Sequence, residues 1–220
     1  ELYNLIKSHP NPTVVEIGVF MGQSAFIIME TMKVHQTGGE FFAVDPWSKE
    51  SSLEGTNEEA NNEWWSSIDY EDIYNKFLSC VKENGFTDFC TILKAPSADA
   101  RHLFPSDLEI DILHVDGNHS EEKSTEDISL WLPLVRKEGY IIMDDTNWLS
   151  TQKAQIKLEE SCSLSKEEDG FKVYKNVLPT SGKVLTIAYI TSKEDPLFER
   201  FVKTLIPQLA EYPDVEIDFL

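Results

Sequence analysis

Short β-branched and aromatic runs recur along the chain, separated by longer stretches in which apolar residues return at helical spacing. The first run, Thr13-Val14-Val15-Glu16-Ile17, is bounded by Pro10, Pro12 and Gly18 and reads as a buried strand. A helix is predicted from Gly22 to about Lys33. Gly38-Gly39 resets the chain before Phe41-Phe42-Ala43-Val44-Asp45, a second strand stopped by Pro46. Tyr70 to Asn84 carries Ile73, Phe77, Leu78 and Val81 on one helical face, with Gly85 as its cap. Phe89 to Leu93, Ile110 to Val115 and Tyr140 to Met143 are predicted as strands three to five, with a helix over Asp127 to Val135. A last helix, about Thr151 to Ser161, leads to two short strands, Cys162 to Leu164 and Phe171 to Tyr174, joined through Glu168-Asp169-Gly170 as a hairpin.

Strands alternating with helices need crossover connections, so the pattern predicts an α/β fold: a Rossmann-like doubly wound sheet, mostly parallel with an antiparallel edge strand. This domain is expected over residues 1–178. Leu178-Pro179-Thr180-Ser181-Gly182 has linker composition, which sets 179–182 as a linker. Beyond it, Val184 to Ile190, Phe198 to Leu209 and Val215 to Phe219 read as strand, helix and strand, the start of a second, truncated α/β domain over residues 183–220.

Composition narrows the partners. The 220 residues are 41% hydrophobic, enough to bury a core, and 39 acidic against 19 basic side chains give a formal charge of −20. That charge opposes attraction to a phosphate backbone, so nucleic acid is not expected as a partner. Ser48 to Asn75 holds eight acids and one basic residue, Lys49, and reads as a solvated surface loop. Within it Trp64 and Trp65 cannot both face one core from a helix; one covers a ligand as a lid, or the pair marks an interface. Cys80, Cys90 and Cys162 are odd in number and fit neither a disulfide framework nor a zinc pattern, which points to a reducing, cytoplasmic setting. No apolar run approaches the roughly 20 residues of a membrane span, so no membrane partner is expected.

The chemistry gathers where predicted strands end. The first ends in Gly18-Val19-Phe20-Met21-Gly22-Gln23-Ser24, a G-x-x-x-G spacing that serves as a cofactor loop or simply as a turn. It lacks the three glycines of the dinucleotide fingerprint. Asp45 closes the second strand, where its carboxylate can accept from both hydroxyls of a ribose or merely open a Pro turn. Trp47 offers a face to an adenine ring or packs in the core. Ser97 either reaches the adenine or caps the helix that runs through Arg101 and His102. The fourth strand ends in Asp116-Gly117-Asn118-His119-Ser120 and the fifth in Asp144-Asp145. Three carboxylates at neighbouring strand ends repel, which suggests a cation or a titrating role, and an oxygen-only set favours magnesium. Asp144 and Asp145 reach one ion only if the strand breaks between them. His119 is a general base or a helix cap. His9, His35, His102 and His114 show no partner by spacing and receive no chemistry.

Val15 to Ala25, Phe42 to Trp47, Asp111 to Ser120 and Gly139 to Asp145, in that order, resemble the family 24 group of class I S-adenosylmethionine-dependent methyltransferases over about Thr13 to Asn176. The resemblance implies that Glu16, Gly18, Gly22 and Ser24 bind the methionine part of the cofactor and that Asp45 holds its ribose. Relatives of the macrocin O-methyltransferase kind imply a magnesium ion on Asp116, Asp144 and Asp145, with Asp116 also beside the cofactor. Where they often read D-G-D, this chain has Asp116-Gly117-Asn118, which shifts the base to His119. The tail from Val184 resembles the opening of a family 2 glycosyltransferase, implying a covalently linked glycosyltransferase domain. The expected function is S-adenosylmethionine-dependent, metal-assisted O-methylation of a hydroxyl on a sugar, glycan or small molecule. The alternative, which Asn118 favours, is a non-catalytic cofactor-binding or scaffolding domain. An NAD oxidoreductase is disfavoured by the missing glycine.

Overall fold

The computed structural model describes residues 1–56, 58–105 and 107–177. The expected linker and second domain lie outside the described residues. The elements are α1 (Leu2–Ser8), β1 (Thr13–Ile17), α2 (Gln23–His35), β2 (Glu40–Val44), α3 (Lys49–Ser52), α4 (Glu59–Ser66), α5 (Tyr70–Glu83), β3 (Cys90–Leu93), α6 (Ser97–Leu103), β4 (Ile110–Val115), α7 (Glu121–Trp131), β5 (Val135–Asp144), α8 (Gln152–Glu159), β6 (Cys162–Glu168) and β7 (Phe171–Asn176). The seven strands form one sheet in the order β3-β2-β1-β4-β5-β7-β6. β1 to β5 pair in parallel, and β7 runs antiparallel to both β5 and β6. This is the doubly wound sheet with antiparallel edge strands that the pattern predicted.

Strand alternation sends neighbours to opposite faces, and here both faces are dry. Val14, Phe41, Ile112 and Ile142 enter one core with α1, α2 and α5. Val15, Phe42, Leu113 and Ile141 enter the other with α6, α7 and α8. Each such fully buried aliphatic or aromatic side chain stabilises the fold by about 1.5–3 kcal/mol relative to exposure, so the sheet centre is rigid and its carboxyl ends are fixed. Strand order reverses between β1 and β4, which places a crevice at their carboxyl ends.

Three local expectations change. The acidic stretch is not a plain loop but holds α3 and α4. β5 begins at Val135, ahead of Tyr140, because a register shift between Ile110 and Ile112 lets the segment from Val135 to Gly139 join the edge of β4. The helix after β4 is capped by Ser120, whose hydroxyl accepts from Lys123 N–H, so His119 is released from that role. Among the described residues no helix is long and apolar enough to cross a membrane.

Candidate active site

A cleft opens along the carboxyl ends of β1, β2, β3 and β4. Gly18, Phe20, Asp45, Ser97, Asp116, Asn118, His119 and Asp127 line it, and Ser51, Ser52, Glu54, Trp65 and Tyr70 form its outer wall. Of the two tryptophans, Trp65 lies in the cleft wall. Its ring and that of Trp64, half exposed, both pack on Phe20 at 5.7 Å.

Asp45 shapes the first loop. Val19 N–H and Phe20 N–H each donate to its Oδ2 at 2.9 Å, and Trp47 N–H donates to Oδ1 at 2.6 Å. Burial pushes this carboxyl above its ordinary value, against the pull of those backbone donors. A carboxylate has about four acceptor positions, so one remains for a ligand. Trp47 is a correction. It does not face the cleft: its ring is buried against Tyr74 and Phe77, with centroids at 4.8 and 5.4 Å, and its Nε1 donates to Phe20 O. The residue follows Pro46 with φ +43°, and that turn carries the ring beneath the loop, which it supports from behind.

The expected methionine contacts divide. Gly18 borders the cleft, while Gly22 faces the Phe77 ring and Ser24 lies on α2 away from the lining. Glu16 is completely buried, and His114 Nδ1 lies 2.8 Å from its Oε1; its Oε2 has no protein partner. The physical reason is register: Glu16 of β1 stands directly beside His114 of β4. His114 Nε2 in turn lies 3.5 Å from Asp144 Oδ2. Burial opposes charge on this imidazole, yet hydrogen bonds to Asp144 and Glu16 outweigh it and push His114 up to about 10. A buried imidazolium thus sits between two carboxylates. The sequence reading gave His114 no role; the available signal was a polar residue in an apolar strand, level with Glu16.

β5 ends at Asp144, and Asp145 has φ +52°, so the strand breaks between the two acids as their joint use requires. Asp145 Oδ2 lies 3.0 Å from His119 Nε2, and the His119 ring leans on Trp148 at 4.9 Å. Burial holds His119 below the ordinary imidazole value, against Asp145 and Asp144, and burial also raises Asp145. Asp116 is pushed up to about 7, first by burial, with His114 opposing and the charges of Asp144, Glu16 and Asp145 adding to the rise.

The three aspartates expected around a magnesium ion are divided between two groups. Among the described residues, the donor atoms that lie within 4.8 Å of one another group as His114, Asp116 and Asp144, and as Asp116, His119 and Asp145. Each group pairs two carboxylates with an imidazole, a mixed donor set that suits magnesium less well than oxygen alone. The His114 imidazolium relieves part of the carboxylate repulsion.

At the far end, Ser97 does not cap its helix, which begins after Pro96. Its Oγ accepts from Trp131 Nε1 at 2.8 Å and hydrogen-bonds Asp127, a carboxyl that burial pushes up to about 7. Asp127 was not foreseen, since on the sequence it is one more acid in a helix.

Comparison with known proteins agrees with this architecture. The uncharacterized protein y4gI of Sinorhizobium fredii is 24% identical over 133 residues, 60% of this chain, and the chain spans only 13% of that protein's length. The structure of the O-methyltransferase NovP superposes with a TM-score of 0.60 at 14% identity, covering 80% of this chain and 78% of that one. CalS11, a TDP-rhamnose 3'-O-methyltransferase, superposes with a TM-score of 0.51 at 12% identity, covering 79% and 75%. Residues 15–146 match the family described as "Methyltransferase domain", family 24 of the methyltransferases. The chain belongs to this family of S-adenosylmethionine-dependent methyltransferases.

Proposed function

We propose that the chain methylates a hydroxyl oxygen of an uncharged acceptor, a sugar or glycan hydroxyl being the favoured class. The observation that carries this is the His119–Asp145 pair beside Asp116 at the cleft formed by Gly18 and Asp45. S-adenosylmethionine supplies a methyl group already activated on its sulfonium. The Gly18 loop and the remaining acceptor position of Asp45 hold the donor's methionine and ribose portions, and Ser97 with Asp127 faces its adenine edge. The cleft acids complement the donor's positive charge. His119, neutral because it is buried, accepts the hydroxyl proton as the new O–C bond forms and the C–S bond breaks with its electron pair left on sulfur. Asp145 orients the ring and stabilises the imidazolium.

The sugar class draws support from the macrocin-type motifs and from CalS11, which acts on TDP-rhamnose. The charge of this cleft argues for a neutral glycoside over a nucleotide sugar. A diphosphate meets Glu54, Asp116, Glu126 and Asp127, whereas Lys123 is already paired with Glu54 and Glu126. We read residues 183–220 as the start of a linked glycosyltransferase domain, which would put glycosyl and methyl transfer in one chain.

A methyl-transfer assay over neutral glycosides and nucleotide sugars tests the reading. Turnover is expected on a neutral glycoside, undiminished after chelator treatment. His119→Ala is expected to lower the rate by about 10²-fold or more while calorimetric affinity for S-adenosylhomocysteine is kept. Binding of NAD without binding of the methyl donor would overturn the proposal, and loss of rate on chelation would return the acids to a cation.

A further inference from the structure

Asn118 occupies the place where the family's acidic motif departs, and its amide has a job that a carboxylate cannot do. Its Nδ2 donates toward Glu54 O at 2.9 Å and Ser51 O at 3.0 Å, with Ser52 O at 3.5 Å. Its Oδ1 accepts from Ser120 N–H at 2.9 Å, so both ends of the amide fix its orientation. An ionised Asp has no donor and would turn a lone pair toward three carbonyl oxygens. Two further contacts join the same walls. Lys123 Nζ of α7 pairs with Glu54 Oε2 at 2.7 Å. Gly55, at φ +78°, approaches Ser120 so closely that a Cβ would stand 2.2 Å from its Oγ.

Residues 48–56 bury none of their side chains, so this arm is held by polar contacts and not by the core. Segments of that kind open at low free-energy cost. The arm nevertheless supplies Ser51, Ser52 and Glu54 to the wall of the cleft. We propose that Asn118 is the clasp of a strap: residues 48–56 open to admit ligands and close by docking their carbonyl oxygens on the Asn118 amide. Asn118 is therefore a positioning residue, acting through the arm, and not the remnant of a lost base. The ligand half of this inference rests on reading the cleft as the methyl-donor site.

The test uses the full chain, wild type against Asn118→Asp, with Lys123→Met as a second variant that loosens the arm from its other attachment. Cleavage at Glu50 and Glu54 by a glutamate-specific protease, followed by mass spectrometry without ligand, reads the arm directly. Stopped-flow fluorescence reads release of S-adenosylhomocysteine, with Trp65 in the wall as reporter. Asn118→Asp is expected to raise arm cleavage and ligand release by about tenfold or more, the loss of one or two hydrogen bonds, and Lys123→Met, which removes a part-exposed ion pair, by about two- to fivefold. Unchanged cleavage in both would overturn the clasp. So would a gain in turnover by Asn118→Asp with the arm still protected, because Asp would then be restoring a base. Failure of the wild type to bind S-adenosylhomocysteine would sink the donor-site reading alone, since arm cleavage still decides the clasp.

Discussion

Gly18→Ala is expected to abolish donor binding and to destabilise the domain by roughly 2–5 kcal/mol, left-handed strain and backbone overlap together. Gly18 has φ +83°, and a Cβ built there stands 2.0 Å from Asp116 O, 2.4 Å from Asp116 C and 2.7 Å from Gly117 Cα. Nothing flexible stands in the way that could yield. Asp116 N–H also stitches the two loops together by donating to Ile17 O at 2.8 Å, and Gly18 N–H ties the first loop to Val44 O of β2 at 2.9 Å. A methyl group must therefore push the Asp116 backbone outward, carrying its carboxylate away from Asp144 and Asp145. Urea unfolding and calorimetric titration with S-adenosylhomocysteine check the two halves. Wild-type affinity in the variant would show that the loops do not meet as described.

The second large effect is expected at His114. His114→Leu removes the cation between Glu16 and Asp144 and leaves a fully buried carboxylate uncompensated, a loss of about 3–5 kcal/mol where whole domains hold about 5–15 kcal/mol. Joint replacement, Glu16→Gln with His114→Leu, is expected to recover much of it, because the stranded charge goes too. The same site sets a pH dependence. A folded-state value of about 10 lies above the unfolded value of about 6.5, so the stabilisation is full below pH 6.5 and is lost as pH rises toward 10. Cys90 and Cys162, raised by burial to about 12 and 11, pull the same way only above their unfolded value near about 8.5. Asp116 and Asp127, raised to about 7, are half titrated there and still lower stability as the pH rises toward about 8. Between pH 7 and 8.5, then, His114 alone is expected to lower wild-type stability by about 2 kcal/mol, and the His114→Leu variant to fall less steeply, by the share of its carboxyls. Equal slopes in the two proteins would place the proton elsewhere.

The sheet was legible because its centre is built from runs such as Val14-Val15 and Ile112-Leu113, which have one use in a chain of this length. Asp45, Asp116 and His119 were legible because polar residues that close such runs reach the strand ends where a crevice opens. His114 was not: its partner Glu16 is distant in sequence, and only the β1–β4 register brings them together. Trp47 was placed on the wrong side because the direction of its ring depends on the positive φ after Pro46, which composition does not reveal. The arm was hidden for a related reason. Its acids look solvated, and what holds it is backbone carbonyl oxygen, which every sequence has.

The Trp131–Ser97 hydrogen bond makes the protein its own optical instrument. Trp131 is fully buried, and its indole N–H ends on the Ser97 hydroxyl that borders the cleft. A ligand that draws on that hydroxyl changes the polarisation of the indole, and with it the emission of a tryptophan that an aqueous quencher cannot reach. Half-exposed Trp64 is quenched by iodide. The emission that survives quenching comes from Trp131 and from Trp47, which is buried as well, so in a Trp47→Phe background it reports occupancy of the Ser97 end of the cleft with no label attached.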